Sequence, residues 1–362
     1  MFSPLTYLEW INERHDAVEF DLASSVLPAT PTQPDEIREQ ADRPQDETLS
    51  DAIAATYPTA EPSDVVVTAG ASHANLLVAM AAITRANRDG VASPTVAVES
   101  PGYEPLVETP RGLGASIERV PRPADREYDV DLAALEDTVD EKTALVTITN
   151  RHNPSGRLLD RERLAEVAAV VSSVDATLLV DEVYAPLVLP DDRNATGAIG
   201  APTAAGLPNT VVTQSLTKFF GAGGLRIGWI VADRSIGSTI GEMATHVPVV
   251  SHPSMELAHR ILAEPRFEDG ARDLLADNYA LLEAFADRPD LTGQSFRGSS
   301  FAFLEHTSAD GDEVAAASME DDVLVVPGRF FGDRNRFRIC VCQETTTVER
   351  GLDRLGAALD EL

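Results

Sequence analysis

The stretch Thr213-Gln-Ser-Leu-Thr-Lys-Phe-Phe-Gly-Ala-Gly-Gly-Leu-Arg-Ile-Gly-Trp229 leaves an apolar β-branched run, passes a lysine and enters a glycine-rich loop that closes on Arg226. Lys218 is one of two lysines in the 362-residue chain, against twenty-seven arginines. Arginine does not give up its proton at ordinary pH, whereas a lysine amine can be made nucleophilic and can form a Schiff base. A chain that has arginine almost everywhere else keeps this amine where chemistry requires one. The other lysine, Lys142, sits in an ordinary acidic stretch. A phosphate-binding P-loop would place the lysine after its glycines, and a dinucleotide fingerprint would need a glycine where Arg226 stands. A Ser-x-x-Lys hydrolase would also need a Lys-Thr-Gly element, which the chain lacks. What survives is a Schiff-base lysine with Ser215, Thr217 and Arg226 poised to hold a phosphate.

Around this segment, short apolar runs alternate with amphipathic ones. Strands are expected at Asp64–Thr68, Thr95–Glu99, Ala115–Val120, Thr143–Thr149, Thr177–Asp181, Thr210–Gln214 and Arg226–Val231, with helices at Ser72–Arg88, Leu132–Asp137 and Asp160–Ser173. Such alternation makes βαβ units, hence an α/β fold: a mainly parallel seven-stranded sheet flanked by helices. Ligands of these sheets bind at the carboxyl ends of the strands. Beyond about residue 235 the pattern becomes α+β, with helices near Ser254–Ala263 and Phe267–Arg288, strands Ser300–Glu305, Asp322–Val326 and Arg336–Cys342, and a last helix Thr347–Leu359. The expected division is an N-terminal arm over 1–45 packing with the small domain, a large domain over 46–235 and a small domain over 236–362, with 250 as the alternative boundary. The arm carries Pro28, Pro31, Pro34 and Pro44 and reads as irregular.

Four more segments fall at predicted strand ends. Asp181-Glu-Val-Tyr184 follows Thr-Leu-Leu-Val; an acid at the end of a buried strand is costly unless paired or functional. It is either a structural ion pair or cap, or the anionic partner that a pyridinium nitrogen needs. Tyr184 is spaced to hydrogen-bond a phenolate oxygen. Thr149-Asn-Arg-His-Asn153-Pro-Ser-Gly156 is turn chemistry in any case. Thr68-Ala-Gly70-Ala71-Ser72-His73 turns a strand into a helix, where backbone N–H groups and the Ser72 hydroxyl form an anion site or an ordinary cap. Glu99-Ser-Pro-Gly-Tyr103 puts an aromatic ring at the mouth of the same sheet, for packing or for a ligand.

Together the five segments resemble the class I/II aminotransferases, the fold-type I pyridoxal 5′-phosphate enzymes. The resemblance runs from about residue 46 to the C-terminus and includes Val323–Gly332 and Arg336-Phe-Arg338-Ile339. It implies that Lys218 holds the cofactor as a Schiff base and shuttles a proton, and that Asp181 pairs with the pyridine nitrogen. It further implies that Tyr184 and Asn153 hydrogen-bond the phenolic oxygen and that Tyr103 stacks on the ring. Gly70, Ala71, Ser72, Ser215, Thr217 and Arg226 would surround the phosphate. Lys218, Asp181 and Tyr184 are then the catalytic residues. Arg338, which alone could be a surface ion pair on a strand, becomes the bidentate clamp for a substrate α-carboxylate, with Asn153 beside it. The implied reaction moves an amino group from an L-amino acid to a 2-oxo acid by a ping-pong mechanism in a homodimer.

Carbon–sulfur β-elimination, decarboxylation of a phosphorylated amino acid and cyclisation all use the same cofactor residues. A non-catalytic cofactor-binding sensor would need a basic DNA-binding domain where the chain has its acidic arm. Two departures from the family concern the substrate side. Gln40–Glu47 lacks the tyrosine that usually reaches the partner subunit's phosphate. Leu22-Ala-Ser-Ser-Val26 replaces a glycine-rich turn near the substrate carboxylate. A second arginine for an acidic side chain could be Arg297, Arg38 or Arg43, each of which reads better as a surface residue.

The formal charge is −30 and the pI about 4.4, with acid spread along the chain and lysine depleted. That distribution suits a protein adapted to high salt, where self-repulsion is screened, and argues against nucleic-acid binding. No apolar run approaches the roughly 18–20 residues that span a bilayer, so no membrane is expected. The N-terminus has no basic region or small-residue cleavage site, so the expected compartment is the cytoplasm. Cys340 and Cys342 read as small buried apolar residues, and no second pair exists to build a zinc site, so no metal is expected. Lys142→Arg is expected to leave turnover unchanged in a steady-state assay; a large loss would mean that lysine scarcity does not single out Lys218.

Overall fold

The computed structural model describes residues 2–194 and 196–362, apart from the side chains of Arg234 and Ser235. A seven-stranded sheet runs in the order 65–68, 228–232, 210–215, 177–181, 143–149, 95–100 and 116–121. All pairings are parallel except those of Gly228–Ala232, which lies antiparallel to both neighbours. The expected α/β fold with a mainly parallel sheet is therefore observed. Thr143–Thr149 (TALVTIT) shows why: the strand is buried along its whole length, and β-branched residues suit a strand covered on both faces.

Ala71–Arg88 covers one face. Its apolar residues Ala74, Leu77, Val78, Ala81 and Ala82 recur with helical period and pack against Val96, Val98, Leu179 and Ile230 of the sheet. Arg85 and Arg88 in its last turn complement the helix dipole. Arg161–Ser173 covers the other face through Leu164, Val167 and Val171, with the Asp160 side chain accepting from the backbone N–H of Arg163 as cap. Leu257, Ala258, Ile261 and Leu275 from the helices His252–Ala263 and Pro265–Ala286 join this same core.

The C-terminal part forms an antiparallel four-stranded sheet of 291–292, 301–306, 336–340 and 326–327. Thr345–Leu359 packs beside it through Val348, Leu352 and Leu355. Among the described residues no helix is long and apolar enough to cross a membrane.

The structure departs from the expectations in several places. The predicted strand Arg226–Val231 begins at Gly228; Gly223–Leu225 is a 3-10 turn and Arg226 is left-handed at φ 52°. The predicted Asp322–Val326 strand divides into Val323–Leu324, which pairs with Phe20–Asp21, and Val326–Pro327, which joins the four-stranded sheet. The arm is not irregular: it holds helices Thr6–Asn12 and Pro34–Gln40 besides that short strand. Its contacts are also divided. Phe20 and Leu22 pack with the small sheet, while Leu27, Ile37 and Ala41 join the core of the large one. Proline obscured Glu104–Gly112, a helix with Pro105 near its start and Pro110 inside. The helices Arg234–His246 and Gly311–Glu320 were also unexpected; the second is started by the capping box of Asp310 and Glu313.

One buried ion pair joins three strand ends. Arg122 and Glu99 are both fully buried and meet at 2.6 Å. Arg122 also donates to the carbonyl of Tyr128, and the second Glu99 oxygen accepts from the backbone N–H of Thr149. Removing one charge would leave the other buried and unpaired, at roughly 3–5 kcal/mol. Glu99→Gln or Arg122→Met should each lower the urea midpoint by a corresponding amount. The Glu99→Leu/Arg122→Met double variant should lose much less than the sum.

Candidate active site

Six of the seven strands run the same way, so their carboxyl ends share one edge of the sheet. The antiparallel seventh strand begins at that edge: Gly228 is in register with Thr68 on one side and Ser215 on the other. Arg226, two residues before it, is thereby brought beside Gly70. A cavity of about 540 Å³ opens there, lined by Ala71, Ser72, Tyr103, Asn153, Asp181, Tyr184, Ser215, Thr217, Lys218 and Arg226 among others. Of the residues the family resemblance assigned to cofactor and substrate carboxylate, only Gly70 and Arg338 are absent from the wall itself.

At one end of the cavity is a cradle for an anion. Gly70 has φ +81°, and a Cβ there would come within 2.9 Å of the Arg226 guanidinium. A Cβ on Gly228 would lie 2.6 Å from the Gly70 carbonyl carbon and 2.8 Å from the Ala71 nitrogen. The two glycines let strand end, helix start and arginine crowd together. The first N–H groups of an 18-residue helix, the Ser72, Ser215 and Thr217 side chains and a cation converge here. Arg226 donates to the carbonyl of Ala69, and among the described residues no carboxylate pairs with it.

Asp181 is buried at the end of its strand. Asn75 Nδ2 donates to it at 2.8 Å and the Val183 N–H at 3.2 Å; Asn75 in turn accepts from the Thr213 hydroxyl. Burial raises the carboxyl's proton affinity and these two donors oppose that rise. No arginine or lysine forms an ion pair with Asp181 among the described residues. A buried carboxylate held by amides and facing a cavity suits a cationic ring nitrogen. Asn75 was not expected from the sequence, although its place on the fifth residue of the Ala71–Arg88 helix, polar amid Ala74, Leu77 and Val78, marks it.

Lys218 is half-buried, and desolvation pushes its proton affinity below the ordinary lysine value. Its amine donates to the Ser25 hydroxyl at 3.2 Å, and Ser25 is 2.7 Å from the Tyr184 hydroxyl. Tyr184 is buried, which raises its proton affinity above the ordinary tyrosine value. Ser25 lies in the very stretch that departs from the family pattern.

Arg338 sits just behind the wall. Its guanidinium donates to Asn153 Oδ1 at 2.7 Å, to the Ala23 carbonyl at 2.9 Å and to the Tyr7 hydroxyl at 3.2 Å. Its Nε has no partner, and the whole side chain is buried without a carboxylate. Tyr7, on the arm helix Thr6–Asn12, was not expected; it also packs edge-on against Tyr103 at 5.9 Å between ring centres. The three arginines considered for a second carboxylate lie elsewhere. Arg297 pairs with Asp192, Arg38 with Asp35 and Glu256, and Arg43 is exposed outside the wall. Cys340 and Cys342 are free and buried.

The chain belongs to the class I and II aminotransferase family, whose model matches residues 22–355. It is 27% identical over 338 residues to the valine–pyruvate aminotransferase of Mycobacterium tuberculosis, covering 86% of this chain and 81% of that one. It is also 27% identical over 275 residues to the capreomycidine synthase of Streptomyces vinaceus, covering 73% of this chain and 68% of that protein. A PLP-dependent aminotransferase from Streptococcus suis superposes with a TM-score of 0.84 at 21% identity, over 99% of this chain and 98% of that one. The cofactor is accordingly pyridoxal 5′-phosphate, and the residues present fit it: an amine, a buried carboxylate without a cation, and an anion cradle opened by two glycines.

If Asn75 tunes Asp181, Asn75→Ala removes a donor to the ionised form and the carboxyl's pKa climbs further. The acid limb of the kcat/KM profile should then move up by about one pH unit. An unmoved limb would mean that Asn75 only packs.

Proposed function

We propose that this protein is an aminotransferase that moves an amino group from an L-amino acid to a 2-oxo acid by a ping-pong mechanism. The observation that carries the reading is the convergence of the Lys218 amine, the Asp181 carboxylate and the Gly70–Arg226 cradle on one strand edge, with the Arg338 guanidinium directly behind. Gly70, Ala71, Ser72, Ser215, Thr217 and Arg226 would hold the phosphate. Asp181 would pair with the ring nitrogen, Tyr184 and Asn153 would bind the phenolic oxygen, and Tyr103 would stack on the ring. Bound pyridoxal phosphate supplies an aldehyde that condenses with amines and a ring that withdraws electrons from the substrate Cα.

Lys218 Nζ accepts the proton that leaves the substrate Cα; its lowered proton affinity keeps a larger share of the amine free at neutral pH. General-base help of this kind contributes roughly 10²–10⁴-fold when the base is within hydrogen-bond reach. Arg338 binds the substrate carboxylate. Two of its present acceptors, the Tyr7 hydroxyl and the Ala23 carbonyl, belong to the arm, so a substrate carboxylate would compete with the arm for the guanidinium N–H groups. In this reading the chain works as a homodimer in the cytoplasm of a salt-adapted cell. It comprises the arm over 1–45, the large domain and the small domain; of the two boundaries considered, 235 and 250, the packing of Leu257, Ala258, Ile261 and Leu275 in the core of the large sheet supports the later.

The capreomycidine synthase relative keeps a second reading in view, another pyridoxal phosphate reaction on an amino acid. A half-reaction decides. With an amino donor and no acceptor, transamination converts the bound cofactor stoichiometrically to its aminated form, seen as loss of the visible absorbance of the lysine-bound cofactor. Elimination, decarboxylation or cyclisation restores that absorbance after each turnover. Lys218→Ala should abolish turnover and covalent retention of the cofactor; undiminished covalent binding in that variant would end the assignment.

A further inference from the structure

Ser25 stands where the chain departs from its family, and it is buried. The Lys218 amine donates to its oxygen, and the Tyr184 hydroxyl lies on its other side. The backbone around it is tied independently of these bonds. The Leu27 N–H donates to the carbonyl of Lys218 itself at 3.0 Å, and the Cys340 N–H donates to the Leu22 carbonyl at 2.7 Å. The Asp21 carboxylate accepts from the N–H groups of Ala23 and Ser24. A hydroxyl carried by a fixed loop selects one conformation from the many open to a lysine side chain.

We propose that Ser25 is a positioning residue: its hydroxyl holds the amine of Lys218, whenever that amine is free, beside the Tyr184 hydroxyl and fixes the line along which the amine takes up and returns a proton. This rests on Lys218 being the reacting amine. The groups facing that amine are Tyr7 from the arm helix, Tyr184 and Asp181 from the end of the 177–181 strand, and Arg338, Cys340 and Cys342 from the small sheet and its continuation. Burial raises the proton affinity of the tyrosines and thiols, which stay neutral near pH 7. Among the described residues the hydrogen-bond acceptor of the amine is Ser25.

The scarcity of lysine makes the test direct. In a Lys142→Arg background Lys218 is the only side-chain amine. Acylation of Lys218 by an N-hydroxysuccinimide ester is followed by peptide mass against pH, in the full-length protein before cofactor is added. Ser25→Ala removes an acceptor of the protonated amine, so the titration midpoint should fall by about one unit, with labelling up to roughly tenfold faster below it. Ser25→Thr should restore the wild-type midpoint, and Ser25→Cys, a weaker acceptor, should fall between. In the holoenzyme, Ser25→Ala should lower kcat by roughly tenfold or more with KM little changed, again restored by Thr. An unchanged labelling profile in Ser25→Ala overturns the proposal, even if stability or KM suffers. The underlying reading fails separately, if Lys218→Ala still binds cofactor covalently.

Discussion

Everything chemical in this molecule depends on how little room is left at Gly228. The strand it opens runs against its neighbours, so its beginning meets their ends, Thr68 on one side and Ser215 on the other. Only a residue without a side chain lets the Gly70–Ala71 backbone come so near. From that close approach follow the aim of the first helical N–H groups and the position of Arg226. A parallel strand there would have carried its beginning, and the arginine, to the opposite edge of the sheet.

The second organising element is the arm. Its residues reach three places that sequence distance keeps apart: the core under the large sheet, the small sheet, and the site between them. Tyr7 and Ala23 engage Arg338, and Ser25 engages Lys218. The arm therefore connects the cation proposed for the substrate carboxylate with the proposed reacting amine. The contacts to Arg338 are hydrogen bonds from a cation, stronger than neutral ones.

Much of the cavity wall was legible in the sequence because its residues come in short local motifs, each at the end of an apolar run. Asp181 and Tyr184 follow one strand, Asn153 another, Ser72 a third, and Lys218 a fourth. Their chemistry is readable from residue type, and their position follows from strands sharing one direction. Asn75, Tyr7 and Ser25 were not legible in the same way. Asn75 matters only because the Ala71–Arg88 helix lies across the strand ending in Asp181. Tyr7 and Ser25 matter only because the arm folds back over residues some 150 to 330 positions later. No local pattern encodes such contacts.

The sequence by itself determined the fold class and singled out the proposed reacting amine and most of the residues proposed to hold the cofactor, since periodicity and strand-end chemistry are local properties of the chain. It also determined the acidic, lysine-poor character that made Lys218 conspicuous. Tertiary structure decided what those residues can do together. It turned Arg226 out of the expected strand into the left-handed turn beside Gly70. It set Arg338 behind Asn153, Ala23 and Tyr7 rather than in the open wall. It also put a serine hydroxyl against the lysine amine. These outcomes depend on the direction of one strand and the return path of one arm, which are settled by packing across the whole chain.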